Sequence, residues 1–241
     1  MKSSRTINIK HLYAREMNVY GDNGNVVVLK SRLERRGYEV SVGQVNVDDT
    51  ESFEGVDIIV GGGGQDSGQL KVGKDLQGRS KVLHDASNDG VAMLMICGMF
   101  QLFGRYFLTR EENKVNGLGI FNLHTEGGQQ RMIGNVLIDT EFGDLVGFEN
   151  HSGKTILGEG QKALGKVIKG AGNNGISGKE GAVVDNTFGS YLHGPLFPKN
   201  PVFADELISR ALERKYGKSD LEPLDDSLEN AAYEHAKTLS Y

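Results

Sequence analysis

Only one cysteine, Cys97, occurs among the 241 residues, so no internal disulfide can form, and one thiol with six scattered histidines has no zinc-type ligand spacing. No metal is expected. A basic excess is also missing, since 27 Lys and Arg stand against 32 Asp and Glu for a net charge of −5 with no Lys/Arg-rich run. That excludes the electrostatic footprint of a nucleic-acid binder. Residues 1–10 alternate polar and apolar side chains where a signal peptide needs a continuous apolar stretch. No later segment approaches the ~18 apolar residues of a membrane span. A cytoplasmic protein without a transmembrane segment is expected. Nor is there a P-loop or other nucleotide motif.

What is present is enough apolar material, 38% of residues, for one sizeable core, and 34 glycines without low-complexity repetition, which imply many tight turns. Residues 7–12, 38–45, 56–60 and 91–96 read as strands, residues 26–36 and 72–87 as helices, and a further helix opens near Met99. This alternation is the pattern of a parallel α/β sheet. From Asn135 to Leu192 the chain turns to short β-rich pieces, 136–138, 145–148, 164–168, 182–184 and 187–192, separated by glycines. They predict hairpins added to the same sheet or a second layer. Asn200 before Pro201 reads as a helix start, with Phe203, Leu207, Ile208, Ala211 and Leu212 on one face and Gly217 as the stop. The expected division is one domain over 1–217 and an acidic, then weakly helical, docking tail over 218–241, with Ala231, Ala232, His235, Ala236 and Leu239 on its stripe.

Cys97 follows an apolar strand directly and precedes a segment, 99–107, of helical character. A sharp turn there would expose the thiol at the carboxyl end of a parallel sheet, beside the positive end of a helix that favours the thiolate. A buried, inert cysteine at a strand end is the competing reading at about even odds. Gly61-Gly62-Gly63-Gly64 follows residues 56–60 at once, and bare backbone N–H groups of this kind suit an oxyanion. A flexible turn or a phosphate loop would look similar, although the lysine and Ser/Thr of a P-loop are missing. A cysteine nucleophile needs a base. His151 and His193 both sit at strand ends, and their contexts alone leave them unranked.

Five segments in order, Tyr20-Gly21-Asp22-Asn23-Gly24-Asn25, the glycine run ending Gln65-Asp66, Ile96-Cys97-Gly98-Met99-Phe100-Gln101, Gly147-Phe148-Glu149-Asn150-His151 and Gly189-Ser190-Tyr191-Leu192-His193-Gly194-Pro195, resemble the class I glutamine amidotransferases. The likeness is strongest to the cobyric-acid-synthase-like branch and, within it, to the small glutaminase subunits of lipid II isoglutaminyl synthases. It implies a flavodoxin-like fold in which Cys97 forms a glutamyl thioester and His193 moves the proton. By the same resemblance, Gln101 and Arg131 touch L-glutamine, Arg131 through its carboxylate. Gly98 and the glycine loop, Gly63 and Gly64 included, would supply oxyanion donors, and His151 becomes a structural or substrate-side residue.

The resemblance also implies a partner, a MurT-like subunit of the Mur-ligase type that uses ATP and magnesium to activate the D-glutamate α-carboxylate of lipid II, with no cofactor in this chain. Two positions depart from the class. Pro195 stands where the class has glutamate, so the motif holds no carboxylate to orient the base; the acid is expected from the partner, and the chain alone is expected to be a poor glutaminase. Met99 stands where the class has glycine and is expected to crowd the turn. Rival readings are amidation of a cobyrinic-acid-type corrin, a non-catalytic binding or regulatory subunit, and a redox-sensing thiol.

Overall fold

The structure, a computed structural model, describes residues 5–219 and 221–239; the first four residues of the alternating N-terminal segment, and Asp220, Ser240 and Tyr241 of the tail, lie outside the described residues. The first sheet takes strands β1 (Thr6–Leu12), β2 (Glu39–Val45), β3 (Ile58–Gly61) and β4 (Ala92–Ile96). A second sheet follows with β5 (Tyr106–Leu108), β6 (Lys114–Asn116), β7 (Leu123–Thr140), β8 (Gly143–Leu157), β9 (Gly165–Lys169) and β10 (Lys179–Glu180), before β11 (Ala182–Val184) and β12 (Thr187–Ser190) return to the first. Helices are α1 (Asn23–Glu34), α2 (Asp66–Gly78), α3 (Ser80–Asn88), α4 (Gly98–Phe103), α5 (Pro201–Tyr216) and α6 (Ser227–Thr238).

In the first sheet the order is β11-β12-β4-β3-β1-β2, parallel except for the β11–β12 hairpin at its edge. Every residue of β3 and β4 is buried, which explains their unbroken apolar runs, because a central parallel strand is covered on both faces. The chain steps from β1 outward to β2 and then back past β1 to β3 and β4. Right-handed crossovers therefore send α1 to one face and α2 with α3 to the other. This is the flavodoxin-like arrangement, whose crevice opens at the carboxyl ends of β1 and β3, where the direction of winding reverses.

The second half is richer than the sequence pattern indicates. Segments 136–138 and 145–148 are the inner parts of one long antiparallel ribbon, β7 with β8, whose register slips between Gly127 and Met132. Hairpins thus do both things expected of them as alternatives: β11–β12 extends the first sheet and the ribbon builds a second. The helix expected over 72–87 is two helices, because α2 stops at Gly78 and Arg79 (φ −100°, ψ 1°) makes the joint. Arg79 is tied there to Asp75 and to the carbonyl oxygens of Asn46 and Asp49. Likewise the helix expected over 99–107 ends at Phe103, and Tyr106 already belongs to β5.

Pro201 opens α5 and Gly217 closes it in the left-handed conformation (φ 63°), as the sequence indicates. Asn200 does not cap it with its side chain; that amide donates to the carbonyl oxygens of Val146 and Leu196 and accepts from the Val146 N–H, stitching α5 to β8. The tail helix touches the body on a different side from the expected alanine stripe. Ala231, Ala232, His235 and Leu239 are exposed, whereas Tyr233 donates to the Asp144 carbonyl oxygen and Lys237 pairs with Asp144. Polar contacts, and Arg32 clamped between Asp205 and Asp226, hold the tail.

Candidate active site

Cys97 stands directly after β4 with φ 51° and ψ −105°, a left-handed strain that a non-glycine residue adopts only where its surroundings enforce it. The enforcing bonds are its own N–H to the Ser190 carbonyl oxygen (2.8 Å), and Gln101 N–H back to the Cys97 carbonyl oxygen (3.0 Å). Because β3 and β12 flank β4, the loops leaving all three strands meet here: the glycine run after β3, the thiol after β4, and Tyr191 to His193 after β12. Met99 does not crowd the turn. Its side chain is fully buried beneath, against Gly61, where an added Cβ would stand 2.8 Å from Met99 Cγ.

His193 is 1% exposed, and its main chain is pinned to the second sheet by two bonds, N–H to the Phe148 carbonyl oxygen (2.8 Å) and Phe148 N–H in return (3.2 Å). The ring of Tyr20 covers it at 4.4 Å between centroids. Gly63 lies between nucleophile and base: a Cβ on it would be 2.8 Å from His193 Cε1 and 3.2 Å from Cys97 Cβ. Burial pulls the imidazole pKa down, but a charge on Cys97 and the neighbouring Asp22 outweigh it and push it up to about 10. The arrangement favours the imidazolium form of His193.

Asp22 was not among the residues singled out from the sequence. It is fully buried at the start of α1, with Oδ1 3.4 Å from His193 Nδ1 and Oδ2 accepting the Gly63 N–H at 2.8 Å. An acid inside this chain thus stands within reach of the base for which a partner's carboxylate was expected. The ring of Pro195 packs on Gly24, two residues beyond Asp22, where an added Cβ would stand 2.4 Å from Pro195 Cγ. A clue was available: Asp22 sits in the Tyr20–Asn25 segment that carries the family likeness, although nothing in its spacing points to a residue 171 positions away. Asp22 also removes one expected oxyanion donor, for the Gly63 N–H is already bonded. Gly64, on the cleft wall, and Gly98, at the first position of α4, remain as backbone donors beside Cys97.

A cleft of about 620 Å³ opens from Cys97 between the loops of the first sheet and the bulged part of the β7–β8 ribbon. Arg131 lies in that bulge and reaches the cleft mouth, donating to Tyr20 Oη (3.2 Å) and to Asn150 Oδ1 (2.6 Å). Its hydrogen-bond partners are neutral, so its charge is available to an anionic ligand. Gln101 lies at the buried floor, where Nε2 donates to Tyr191 Oη (2.9 Å) and Oε1 accepts from Gln69 Nε2 (2.8 Å). His151 also borders the cleft but stacks flat on Tyr191 (3.6 Å, 6°) and is bound to the Gly153 carbonyl oxygen. It stands beside Glu149 instead of Cys97. No group of three or more metal-ligating side chains occurs among the described residues, and no described helix is long and apolar enough to cross a membrane.

The sequence pattern of the CobB/CobQ-like glutamine amidotransferase domain matches residues 8–201, the span that holds every residue of this cleft. The chain belongs to that family. It is 41% identical over 216 residues to the GatD subunit of lipid II isoglutaminyl synthase (glutamine-hydrolyzing) from Streptococcus pneumoniae, covering 88% of this chain and 83% of that one. The subunit of the same name from Staphylococcus aureus is 38% identical over 210 residues, covering 87% and 86%. Among solved structures, a glutamine amidotransferase superposes with a TM-score of 0.58 at 16% identity, over 84% of this chain and 98% of that one, a likeness of fold. The chain is thus a glutamine amidotransferase of the flavodoxin-like α/β class.

Proposed function

We propose that this amidotransferase is the glutamine-hydrolysing half of a cytoplasmic heterodimer whose other half, a MurT-like ligase of the Mur type, amidates the D-glutamate α-carboxylate of lipid II. Its likeness to two GatD subunits along most of both chains supports the acceptor. The observation that carries the glutaminase step is the strained Cys97 beside a buried His193–Asp22 pair. ATP and magnesium belong to the partner in this reading.

Arg131 takes the α-carboxylate of L-glutamine at the cleft mouth, and the side-chain carboxamide descends to the floor. Cys97 thiolate attacks the carboxamide carbon, and the developing oxyanion is held by the N–H groups of Gly64 and Gly98. His193 gives its proton to the departing nitrogen, so the C–N bond breaks to release ammonia and leave a thioester. It then takes a proton from water as the water attacks, returning thiol and glutamate. Asp22 keeps the Nδ1 hydrogen in place throughout, so that Nε2 faces the thiol.

The test is ammonia release from L-glutamine by the chain with and without a co-expressed Mur-ligase-like partner, beside Cys97→Ala and His193→Ala. Release lost in both variants supports the reading. Equal ammonia from wild type and Cys97→Ala, or none from any sample, moves the chain to a binding role.

A further inference from the structure

Gln69 has a buried acceptor with nothing bonded to it. The residue is 3% exposed, on the first turns of α2, and lines the cleft that opens from Cys97. Its Nε2 donates to Gln101 Oε1 (2.8 Å), while its Oε1 has no hydrogen-bond partner. Buried polar atoms are nearly always paired, and one left open beside a reactive thiol implies a ligand that pairs it.

The direction of that open atom is fixed by a chain of hydrogen bonds. Gln101 Nε2 donates to Tyr191 Oη (2.9 Å), Tyr191 Oη meets Thr155 Oγ1 (2.6 Å), and Thr155 Oγ1 meets Thr125 Oγ1 (2.7 Å). All of these groups are buried, so the carboxamide of Gln69 cannot rotate without breaking its bond to Gln101. It lies over Gly98, where an added Cβ would stand 2.4 Å from Gln69 Nε2 and 3.3 Å from Cδ. The carboxamide that carries the open acceptor therefore packs on the residue next to the nucleophile, in the cleft that Cys97 lines. Arg131, the group suited to an α-carboxylate, is exposed at the cleft mouth.

We infer that Gln69 Oε1 accepts a hydrogen bond from the carboxamide NH2 of the substrate and so makes Gln69 the residue that tells glutamine from glutamate. The inference rests on the glutaminase reading above. An amide offers Oε1 a donor, whereas a carboxylate in the same place sets oxygen against oxygen. A site built to bond an N–H rejects the analogue lacking it strongly, because its own polar group is then left unpaired. Product glutamate would leave for the same reason. As the C–N bond breaks, the nitrogen gains a proton and positive charge, and the same acceptor holds it more firmly.

The experiment compares wild type, Gln69→Leu and Gln69→Glu, each with the co-expressed ligase partner, in three measurements: KM and kcat for L-glutamine, competitive inhibition by L-glutamate, and labelling of Cys97 by a diazoketone analogue of glutamine. The diazoketone has no carboxamide NH2, so its reaction reports a formed pocket independently of Gln69. Gln69→Leu is expected to raise KM for glutamine about tenfold or more and to tighten inhibition by glutamate, while the labelling rate stays within about twofold. Gln69→Glu, which keeps an acceptor at this point, is expected to retain rejection of glutamate. If Gln69→Leu leaves both KM and glutamate inhibition at wild-type values, or if its labelling falls in step with its activity, the inference is overturned. Wild type that releases no ammonia and resists the label overturns the glutaminase reading instead, which separates the two failures.

Discussion

Asp22 Oδ1 and His193 Nδ1 lie 3.4 Å apart in the folded chain although 171 residues separate them in sequence, and the other oxygen of the same carboxylate holds the Gly63 N–H. One acid thus fixes both the base and the loop that passes between base and nucleophile. Asp22→Asn keeps an oxygen for Gly63 but places an NH2 group where Nδ1–H must donate, which turns the imidazole to the wrong tautomer. We expect kcat to fall on the order of 100-fold or more with KM little changed, measured as ammonia release with the partner present. Wild-type kcat in this variant would place the orienting acid outside the chain.

The raised pKa of His193, about 10, depends on a negative charge at Cys97 as well as on Asp22. Replacing Cys97 with serine removes the first of these and leaves burial, which favours the neutral ring, opposed by Asp22 alone. The imidazole should then titrate well below its wild-type value. Carbon-detected NMR of labelled histidine rings reads this directly, and an unchanged titration would mean that thiol and imidazole are not coupled.

Glu180 is a fully buried carboxyl behind the catalytic strand, accepting from Tyr191 N–H (2.6 Å) and facing Ser190 Oγ (3.3 Å). Burial, with Glu149 nearby, pushes its pKa up to about 8 against those donations. A folded-state pKa above the unfolded value means that the native state holds the proton more tightly. Stability from this group is therefore complete below pH 4.5 and is lost as pH rises through about 8. Glu180→Gln should flatten the decline of Tm between pH 6 and pH 9. A variant whose Tm falls as steeply as wild type over that interval contradicts the assignment.

Arg32 bridges Asp205 of α5 and Asp226 at the start of the tail helix, at 2.7 and 2.6 Å, with its side chain 4% exposed. Arg36 also reaches Asp205, so removing Arg32 strands Asp226 more than Asp205. Arg32→Ala is expected to cost about 2 kcal/mol by leaving the partly buried Asp226 carboxylate without its charged hydrogen-bond partner. It should also release the tail, seen as faster amide exchange across residues 222–238, whereas unchanged exchange would mean that Tyr233 and Lys237 hold the tail without it.

The parallel sheet could be read from the sequence because β3 and β4 are buried on both faces, and a strand so placed must be apolar at every position. Cys97 was legible for the same reason: it ends the longest such run. The β7–β8 ribbon was not, since its exposed middle carries glycine, glutamine and arginine where the register slips, and alternation is lost at the bulge that aims Arg131. Asp22 was hidden by topology. Its partners come from the ends of β3 and β12, and no local pattern reports that those ends converge on the start of α1. Nor could residue type separate Gly63 from Gly64, because the difference is a single hydrogen bond to Asp22.

The bridge between His193 and Phe148 has a mechanical meaning. Phe148 belongs to the same ribbon that presents Asn150 and, across the pair, Arg131, so the strand that steadies the base also grips the arginine suited to the far end of the substrate. Arg131 at the cleft mouth and the main chain of His193 beside the thiol thus hang on one piece of sheet, which sets the spacing between the two ends of the site.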